Sequence, residues 1–156
     1  MKHKVGVIPF DIRGDQIAIL FVTSHTRGRW IFPKGTLEEG ENHLQTAKRE
    51  AYEEAGVIGE FLENFPITLP ITKKNNYGVV KIPVTYYPLL VTEQLEDWPE
   101  KKTRQRHWSL LSNANKVTDR ADFLELINQF NQLSLWILET AKNKKEPLPE
   151  QQTQEL

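Results

Sequence analysis

The sequence contains no cysteine among its 156 residues, and this absence excludes several kinds of site. A chain without thiols forms no disulfide, holds no metal through thiolate sulfur and has no cysteine nucleophile. The absence is also compatible with the reducing cytosol. We therefore expect a cytoplasmic protein.

Long apolar runs and net charge are lacking as well. No run approaches the length of a membrane span, and the first ten residues lack the apolar segment of a signal peptide. The 20 Lys and Arg residues nearly balance the 21 Asp and Glu residues, so the chain has no overall basic field of the kind that attracts nucleic acid. Any anion must be bound by local clusters of charge.

Acidic side chains are concentrated in residues 35–57, GTLEEGENHLQTAKREAYEEAGV. At about 100° per residue, Glu50, Glu53 and Glu54 share one narrow sector of a helix, while small apolar residues gather on another side. Three carboxylates at these spacings repel one another. A hard divalent cation bound through oxygen relieves that repulsion, so the helix predicts a metal site.

Hydrophobic patterning predicts two β-hairpins and two helices. The glutamate helix should begin near Asn42, a good N-cap, and end at Gly56, a typical residue after a helix C-terminus. A second helix is predicted at residues 121–141. The β-rich runs are residues 5–10, 16–22, 30–32, 61–65, 67–71, 79–91 and 107–111.

Two of these segments have unusual features. Pro83 and Pro88 interrupt the run at residues 79–91, which predicts an edge strand, a bulge or a strand broken in two. The second helix carries an apolar stripe at helical spacing and further apolar side chains beside it, for which we expect burial, with a dimer contact as the alternative. The stripe is Phe123, Ile127, Phe130, Leu133 and Ile137, and the side chains beside it are Leu124, Leu126, Leu135, Trp136 and Leu138.

The chain order of strands and helices fits a layered domain of the α/β or α+β class. We expect one domain at residues 1–141. Residues 142–156 are polar and rich in proline, glutamine and glutamate, which predicts a disordered tail.

The glutamate segment resembles the Nudix box. The match to the box has no gap. It consists of Gly35, five residues, Glu41, seven residues and then REAYEEAGV at residues 49–57. Ala51 stands where a larger aliphatic residue is usual, which should affect packing more than chemistry. The match is specific because several residues agree at fixed spacings. The resemblance extends to about Phe130 and implies an α/β/α sandwich with a central mixed sheet.

This resemblance implies a metal-dependent enzyme that cleaves the pyrophosphate of a nucleoside diphosphate linked to another group. The cofactor would be Mg²⁺ or Mn²⁺, since bound cations neutralise a charged phosphate chain. By similarity to the family, Glu50, Glu53 and Glu54 would bind the metal. The backbone carbonyl near Gly35 would be a further ligand.

The resemblance also implies supporting and catalytic roles. Arg49 would orient a catalytic carboxylate, and Glu41 would hold the loop before the helix. Some family members use a box glutamate as the general base, here Glu53 or Glu54, and we choose Glu54. Others use a carboxylate from a distant loop, for which the candidates are Glu93, Glu96 and Asp97.

Three segments, RGRWIFPKGTLEEGE, TEQLEDWP and RQRHW, resemble the branch of diadenosine polyphosphate and diphosphoinositol polyphosphate phosphohydrolases. Such substrates are densely charged, and basic side chains would bind them through charge-assisted hydrogen bonds. His107 stands where that branch commonly has an acidic residue, so we assign it no catalytic role. The expected substrate-binding residues are Arg27, Arg29, Lys34, Lys73, Lys74, Arg104 and Arg106.

Two alternatives remain open at this stage. One is a different substrate, such as the 5′ triphosphate end of RNA or a damaged nucleoside triphosphate. The other is a non-catalytic module that senses nucleotides or binds proteins, whose expected signature is loss of the box carboxylates; all of them are present here. We expect a small-molecule phosphoanhydride as the ligand, no membrane partner, and a nucleic acid only as an RNA 5′ end.

Overall fold

The computed structural model describes residues 3–144, so most of the predicted disordered tail at residues 142–156 lies outside it. The strands are β1 (Lys4–Arg13), β2 (Gln16–Thr23), β3 (Trp30–Ile31), β4 (Lys34–Thr36), β5 (Val57–Phe61), β6 (Ile67–Asn75), β7 (Gly78–Gln94) and β8 (Arg106–Leu110). The helices are α1 (His43–Glu50) with a π-helical turn (Ala51–Ala55), a 3₁₀ helix (Leu111–Lys116), α2 (Ala121–Gln132) and α3 (Ser134–Lys142). Within the described range, no helix is long and apolar enough to cross a membrane.

The strands form one mixed sheet. β1 pairs antiparallel with β2, with Phe10 opposite Ile19, and parallel with β7, with Val5 opposite Thr85. β7 also pairs antiparallel with β5 and β6. β4 pairs with β1, whereas β3 and β8 pair with β2. Both predicted hairpins, β1–β2 and β6–β7, are confirmed.

Helices lie on both faces of this sheet. Tyr86 and Tyr87 follow one another in β7, so their side chains point to opposite faces. The Tyr87 hydroxyl lies 2.9 Å from Nδ1 of His43, the first residue of α1. The Tyr86 ring packs against Phe32, which in turn contacts Phe123 of α2. The predicted α/β/α sandwich with a mixed sheet is confirmed.

The proline-containing strand β7 is continuous and lies inside the sheet, so the predictions of an edge strand and a broken strand were wrong. Pro83 lies just before the pairing with β1 begins, and Pro88 lies between the pairing of β6 at Tyr86 and that of β5 at Leu89. At both positions only one neighbouring strand pairs with β7, so a residue without an N–H is tolerated there as it is at a sheet edge. The one register shift recorded for β7 lies opposite Ile58, away from both prolines.

The strand predicted at residues 61–65 begins earlier, as β5 directly after the glutamate helix. Residues 62–66 instead make a turn in which the amide of Phe65 donates to the Leu62 carbonyl at 3.2 Å. Gly59 allows β5 to lie close to β7, because a Cβ there would be 1.8 Å from the Leu90 carbonyl oxygen. The strand prediction was therefore wrong in position.

The segment predicted as one helix at residues 121–141 forms two helices that meet at Leu133. The predicted stripe is buried at Phe123, Ile127, Phe130 and Ile137. Leu135 and Trp136 are 76% and 58% exposed, so the predicted burial was wrong for these two side chains. The apolar surface of α3 is wider than the face that the core covers.

Candidate functional site

The helix that carries the glutamates begins and ends where the sequence predicts. The side chain of Asn42 accepts a hydrogen bond from the Gln45 amide at 2.8 Å, and the Gln45 side chain accepts one from the Asn42 amide at 2.9 Å. This reciprocal pair is a capping box. The helix ends at Gly56, whose φ of 65° is in the left-handed region that favours glycine.

The last turn of this helix is π-helical, which changes how the three glutamates are presented. Glu50 and Glu54 are buried, whereas the Glu53 side chain is 35% exposed and lies 3.3 Å from Arg49. A π-helical turn is wider than an α-helical one, and here Glu50 and Glu54 stay together while Glu53 is turned towards Arg49. Accordingly, no three acidic or histidine side chains within residues 3–144 form a group that could hold a metal ion.

The carboxyl groups of Glu50 and Glu54 are buried next to each other. Burial, followed by a hydrogen bond with Glu50, raises the pKa of Glu54 to about 9. Nη2 of Arg104 lies 3.6 Å from Glu54 Oε1 and acts in the opposite direction. Two buried carboxyl groups facing each other are the kind of oxygen donors that a hard divalent cation binds.

Strand β4 passes directly against this carboxyl pair. A Cβ on Gly35 would lie 2.4 Å from the carboxyl carbon of Glu50, so any larger residue would displace that side chain. The close approach places the backbone of β4 next to Glu50, and backbone carbonyl oxygen is also a ligand of hard cations. The donor set therefore fits Mg²⁺ or Mn²⁺, with oxygen atoms throughout.

Arg49 connects the helix to the loop before it. Its Nε donates to Glu41 Oε2 at 2.8 Å and its Nη2 to Glu41 Oε1 at 3.0 Å, while Nη1 donates to Glu50 Oε1 at 2.6 Å. Nη2 also donates to the Thr36 carbonyl at 3.2 Å. The hydrogen bond from Arg49 lowers the pKa of Glu41 to about 2. The loop thus folds back onto the helix and fixes the position of Glu50.

Glu100 is a site residue that sequence reasoning missed. It accepts a hydrogen bond from Nε of Arg104 at 2.8 Å, and its amide donates to the Glu53 carbonyl at 3.0 Å. Its charge also contributes to the raised pKa of Glu54. The spacing of Glu100 and Arg104, four residues apart with opposite charges, was the available signal.

The three loop carboxylates proposed as an alternative base are placed differently. Glu93, Glu96 and Asp97 are exposed. Asp97 pairs with Lys101 at 3.3 Å. Glu100 is the residue of this loop that contacts the glutamate helix through its backbone.

A cavity of about 600 Å³ lies near the carboxyl pair. Lys34 lines this cavity and interacts through its charge with Glu54. The backbone of the next residue, Gly35, passes close to the Glu50 side chain. Burial lowers the pKa of Lys34, with the charge of Lys4 acting in the same direction. The cavity brings together five of the basic residues expected to bind substrate and one that the sequence did not indicate, Arg120. The six basic side chains are Arg27, Arg29, Lys34, Lys73, Lys74 and Arg120.

Arg104 and Arg106, also expected to bind substrate, do not line this cavity. Arg104 donates from Nη1 to the Thr23 carbonyl at 2.8 Å. Arg106 donates to the carbonyls of Ala55 and Leu95 at 3.1 and 2.9 Å, and its guanidinium lies 3.9 Å from the centre of a Trp98 ring. Both side chains hold backbone segments around the glutamate helix.

The chain is similar to known proteins along most of its length. The family model of the NUDIX domain matches residues 2–129. Nudix hydrolase 12, mitochondrial, of Arabidopsis thaliana is 37% identical over 105 residues, which cover 64% of this chain and 51% of the plant protein. Diphosphoinositol polyphosphate phosphohydrolase 3-alpha of Homo sapiens is 32% identical over 131 residues, which cover 80% of this chain and 76% of the human protein.

The fold is shared with a solved structure. The crystal structure of C. elegans Ap4A hydrolase matches with a TM-score of 0.62 and 22% identity, covering 85% of this chain and 98% of that chain. At this identity the likeness concerns the fold alone. This chain spans about half the length of the plant relative, with 51% of it covered. The match to the family model over most of the sequence shows that the chain belongs to the NUDIX domain family, the family of the Nudix hydrolases.

Proposed function

We propose that this chain hydrolyses a phosphoanhydride bond in a dinucleoside polyphosphate or a diphosphoinositol polyphosphate. The observation that carries the proposal is the cavity lined by six basic side chains, one of which, Lys34, interacts through its charge with the buried Glu54. The cavity would hold a phosphate chain while the glutamate helix acts on one of its bonds. The name of the human relative points to the second of these substrate classes.

Nudix hydrolases generally use divalent metal ions, and we propose Mg²⁺ or Mn²⁺ here. When bound, the cation would neutralise phosphate charge and favour attack by water. Glu50, Glu54 and the backbone near Gly35 would hold it, and Glu53 would join them by leaving its 3.3 Å contact with Arg49. The bond between Arg49 and Glu41 would keep the helix in place during that movement.

We propose Glu54 as the general base. In the reaction, the oxygen of water bonds to phosphorus, the bridging P–O bond breaks, and the leaving phosphate keeps its electron pair. Glu54 would take the proton of water, and a cation beside it would lower its raised pKa so that it can do so. Among the loop carboxylates, Glu100 is a better alternative than Glu93, Glu96 or Asp97, because it reaches Arg104 beside Glu54.

A substrate panel tests the proposed function. Purified protein is assayed with Mg²⁺ and with Mn²⁺ against diadenosine polyphosphates, diphosphoinositol polyphosphates, nucleoside triphosphates and RNA with a 5′ triphosphate. Turnover of the first two classes, with large losses in Glu53→Gln and Glu54→Gln, is the expected result. Absence of turnover with every compound and both metals would favour the non-catalytic module, and preference for RNA would favour the 5′-end alternative.

Other expectations from the sequence stay predictions. Residues 1–141 would form the single domain, and the exposed pair Leu135 and Trp136 would be the place to look for a dimer contact. The cytoplasmic location also stays a prediction, since the plant relative is named as mitochondrial.

A further inference from the structure

We infer that Arg120 binds substrate phosphate and makes the enzyme select substrates by the number of phosphates they carry. This inference rests on the proposed function and extends it to a residue outside the Nudix box. Arg120 directly precedes α2 and lines the cavity together with Ala121 and Asp122. Its place in the chain, more than sixty residues after the glutamate helix, gave no sign of this position.

The guanidinium of Arg120 is held on three sides. Its Nη2 donates to the Thr72 carbonyl at 2.9 Å and to Asp122 Oδ2 at 2.9 Å. Asp122 Oδ2 also accepts a hydrogen bond from the Thr72 amide at 2.9 Å, which ties β6 to the start of α2. The Phe123 ring lies against the guanidinium, 4.5 Å from its central carbon. Arg120 is therefore fixed before any ligand arrives.

The fixed guanidinium still has donors to offer. Arginine carries five N–H groups, on Nε, Nη1 and Nη2. Within residues 3–144, the side-chain hydrogen bonds of Arg120 all use Nη2. Nε and Nη1 can thus bind the oxygens of a phosphate group in the two-pronged geometry that arginine favours.

Arg120 differs from most other basic residues of the cavity in how firmly its side chain is fixed. Arg27, Arg29, Lys73 and Lys74 have exposed side chains, which must lose rotamer freedom when they bind a ligand. Arg120 has lost that freedom already. We therefore expect one Arg120 contact to contribute more to affinity than a contact from any of these four residues.

The lining of the cavity suits charged phosphate groups rather than a nucleobase. Among the residues that the structure describes, no aromatic side chain lines it, so it offers no surface on which a nucleobase would stack. Besides the six basic residues and Asp122, its lining consists of Ser24, Thr26, Ile31, Ile71, Thr72, Ile82 and Ala121. A ligand gains affinity here by adding phosphates, and Asp122 is the one carboxylate of the lining that opposes it.

The test compares steady-state kinetics for wild type, Arg120→Gln and Asp122→Asn. The substrates are diadenosine polyphosphates with three to six phosphates and a diphosphoinositol polyphosphate. For Arg120→Gln we expect KM to rise roughly 10-fold for the longer substrates, the factor for one charge-assisted hydrogen bond, with a smaller rise for the shortest one. Because Arg120 acts in binding, kcat should change much less than KM.

Asp122→Asn separates binding from folding. Both substitutions weaken the contact between Arg120 and Asp122, so a purely structural role would raise KM in both variants. A phosphate-binding role predicts opposite signs, since Asp122→Asn removes a negative charge from the cavity but keeps an oxygen that can accept a hydrogen bond from Arg120, and it should therefore lower KM. Lys116→Gln is the matched control, because Lys116 is exposed nearby but does not line the cavity. Thermal melting of each variant checks folding.

Calorimetry with inositol hexakisphosphate gives a readout without hydrolysis, because this compound has no anhydride bond. Arg120→Gln should weaken its binding roughly 10-fold, and Asp122→Asn should strengthen it. Equal KM values and equal affinities in wild type and Arg120→Gln would overturn the inference while leaving the proposed function intact. If the protein hydrolysed no substrate but its affinity for inositol hexakisphosphate still depended on Arg120, the proposed function would be overturned and the phosphate site would stand.

Discussion

Gly35 shows how a single missing side chain shapes the site. Its backbone lies so close to Glu50 that a Cβ would be 2.4 Å from the carboxyl carbon. Gly35→Ala should therefore push Glu50 out of position and reduce kcat by about 100-fold, the loss typical of a displacement of about 1 Å at a catalytic centre. The assay of the proposed substrates measures this effect.

Gly14→Asn is the control for Gly35→Ala. Gly14 lies in the β1–β2 turn with φ of 64°, and a Cβ at this position would have no neighbouring atom within 4 Å. Asparagine tolerates such a backbone, so the activity of this variant should equal that of wild type. Full activity in Gly35→Ala would mean that the close contact with Glu50 has no part in the reaction.

Glu41 predicts how stability depends on pH. Its pKa in the folded protein is lowered to about 2 by the hydrogen bond from Arg49, against an ordinary value of 4.5. A carboxyl group with a lowered pKa stabilises the fold above its ordinary pKa and loses that contribution as pH falls towards the folded value. Glu41→Gln should lower the melting temperature at pH 7, and the difference from wild type should shrink between pH 4.5 and pH 2. A difference that stays constant over that range would contradict the assignment.

At the scale of elements, the end of the glutamate helix depends on a loop far away in sequence. The last carbonyls of a helix lack partners within it. Here the Glu53 carbonyl accepts from the Glu100 amide, the Glu54 carbonyl from Trp98 Nε1 and the Ala55 carbonyl from Arg106. The loop thus completes the helix and carries Arg104 to Glu54.

Trp98 is the residue through which this dependence can be measured. Its ring packs against Gly56, where a Cβ would lie 2.8 Å away, and against the Arg106 guanidinium. Trp98→Ala should lower the free energy of unfolding by about 2 kcal/mol, through lost packing and an unpaired helix carbonyl. It should also lower kcat, because Glu54 loses a support. Urea unfolding and the activity assay measure the two effects.

Trp136→Ala is the matched control for Trp98→Ala. Trp136 lies on α3 with 58% of its surface exposed, so its removal should change the free energy of unfolding by no more than about 0.5 kcal/mol. Equal losses of stability in the two variants would show that Trp98 has no special role at the helix end.

At the scale of the whole molecule, local sequence signals predicted both hairpins and the glutamate helix but missed several contacts between distant segments. Asn42 and Gly56 set the ends of the glutamate helix through their own backbone geometry, so the sequence predicts them. The carbonyls of the π-helical turn accept hydrogen bonds from the loop at residues 98–106, and these contacts were not predictable from the helix alone. Arg120 and Glu100 reach the site through tertiary packing, which the local spacing of Glu100 and Arg104 does not reveal by itself.

The buried pair Glu50 and Glu54 predicts that divalent cations stabilise the whole fold. A ligand that binds the folded state raises the melting temperature, and a cation would replace the shared proton of the two buried carboxyl groups with a stronger positive charge. Mg²⁺ or Mn²⁺ should therefore raise the melting temperature of wild type, and chelation should abolish turnover. The shift should be smaller in Glu54→Gln, and an equal shift in wild type and this variant would contradict metal binding at the pair.

Strand β4 has only three residues, Lys34–Thr36, yet it faces both parts of the site. Successive residues of a strand point to opposite sides, so Lys34 is directed to the cavity and Gly35 to Glu50. A one-residue insertion or deletion before β4 would exchange the two positions and place the lysine against the helix. The number of residues between β3 and β4 is therefore as much a requirement of the proposed site as the identity of its glutamates, whereas the tip of the β6–β7 hairpin can change length without such a cost.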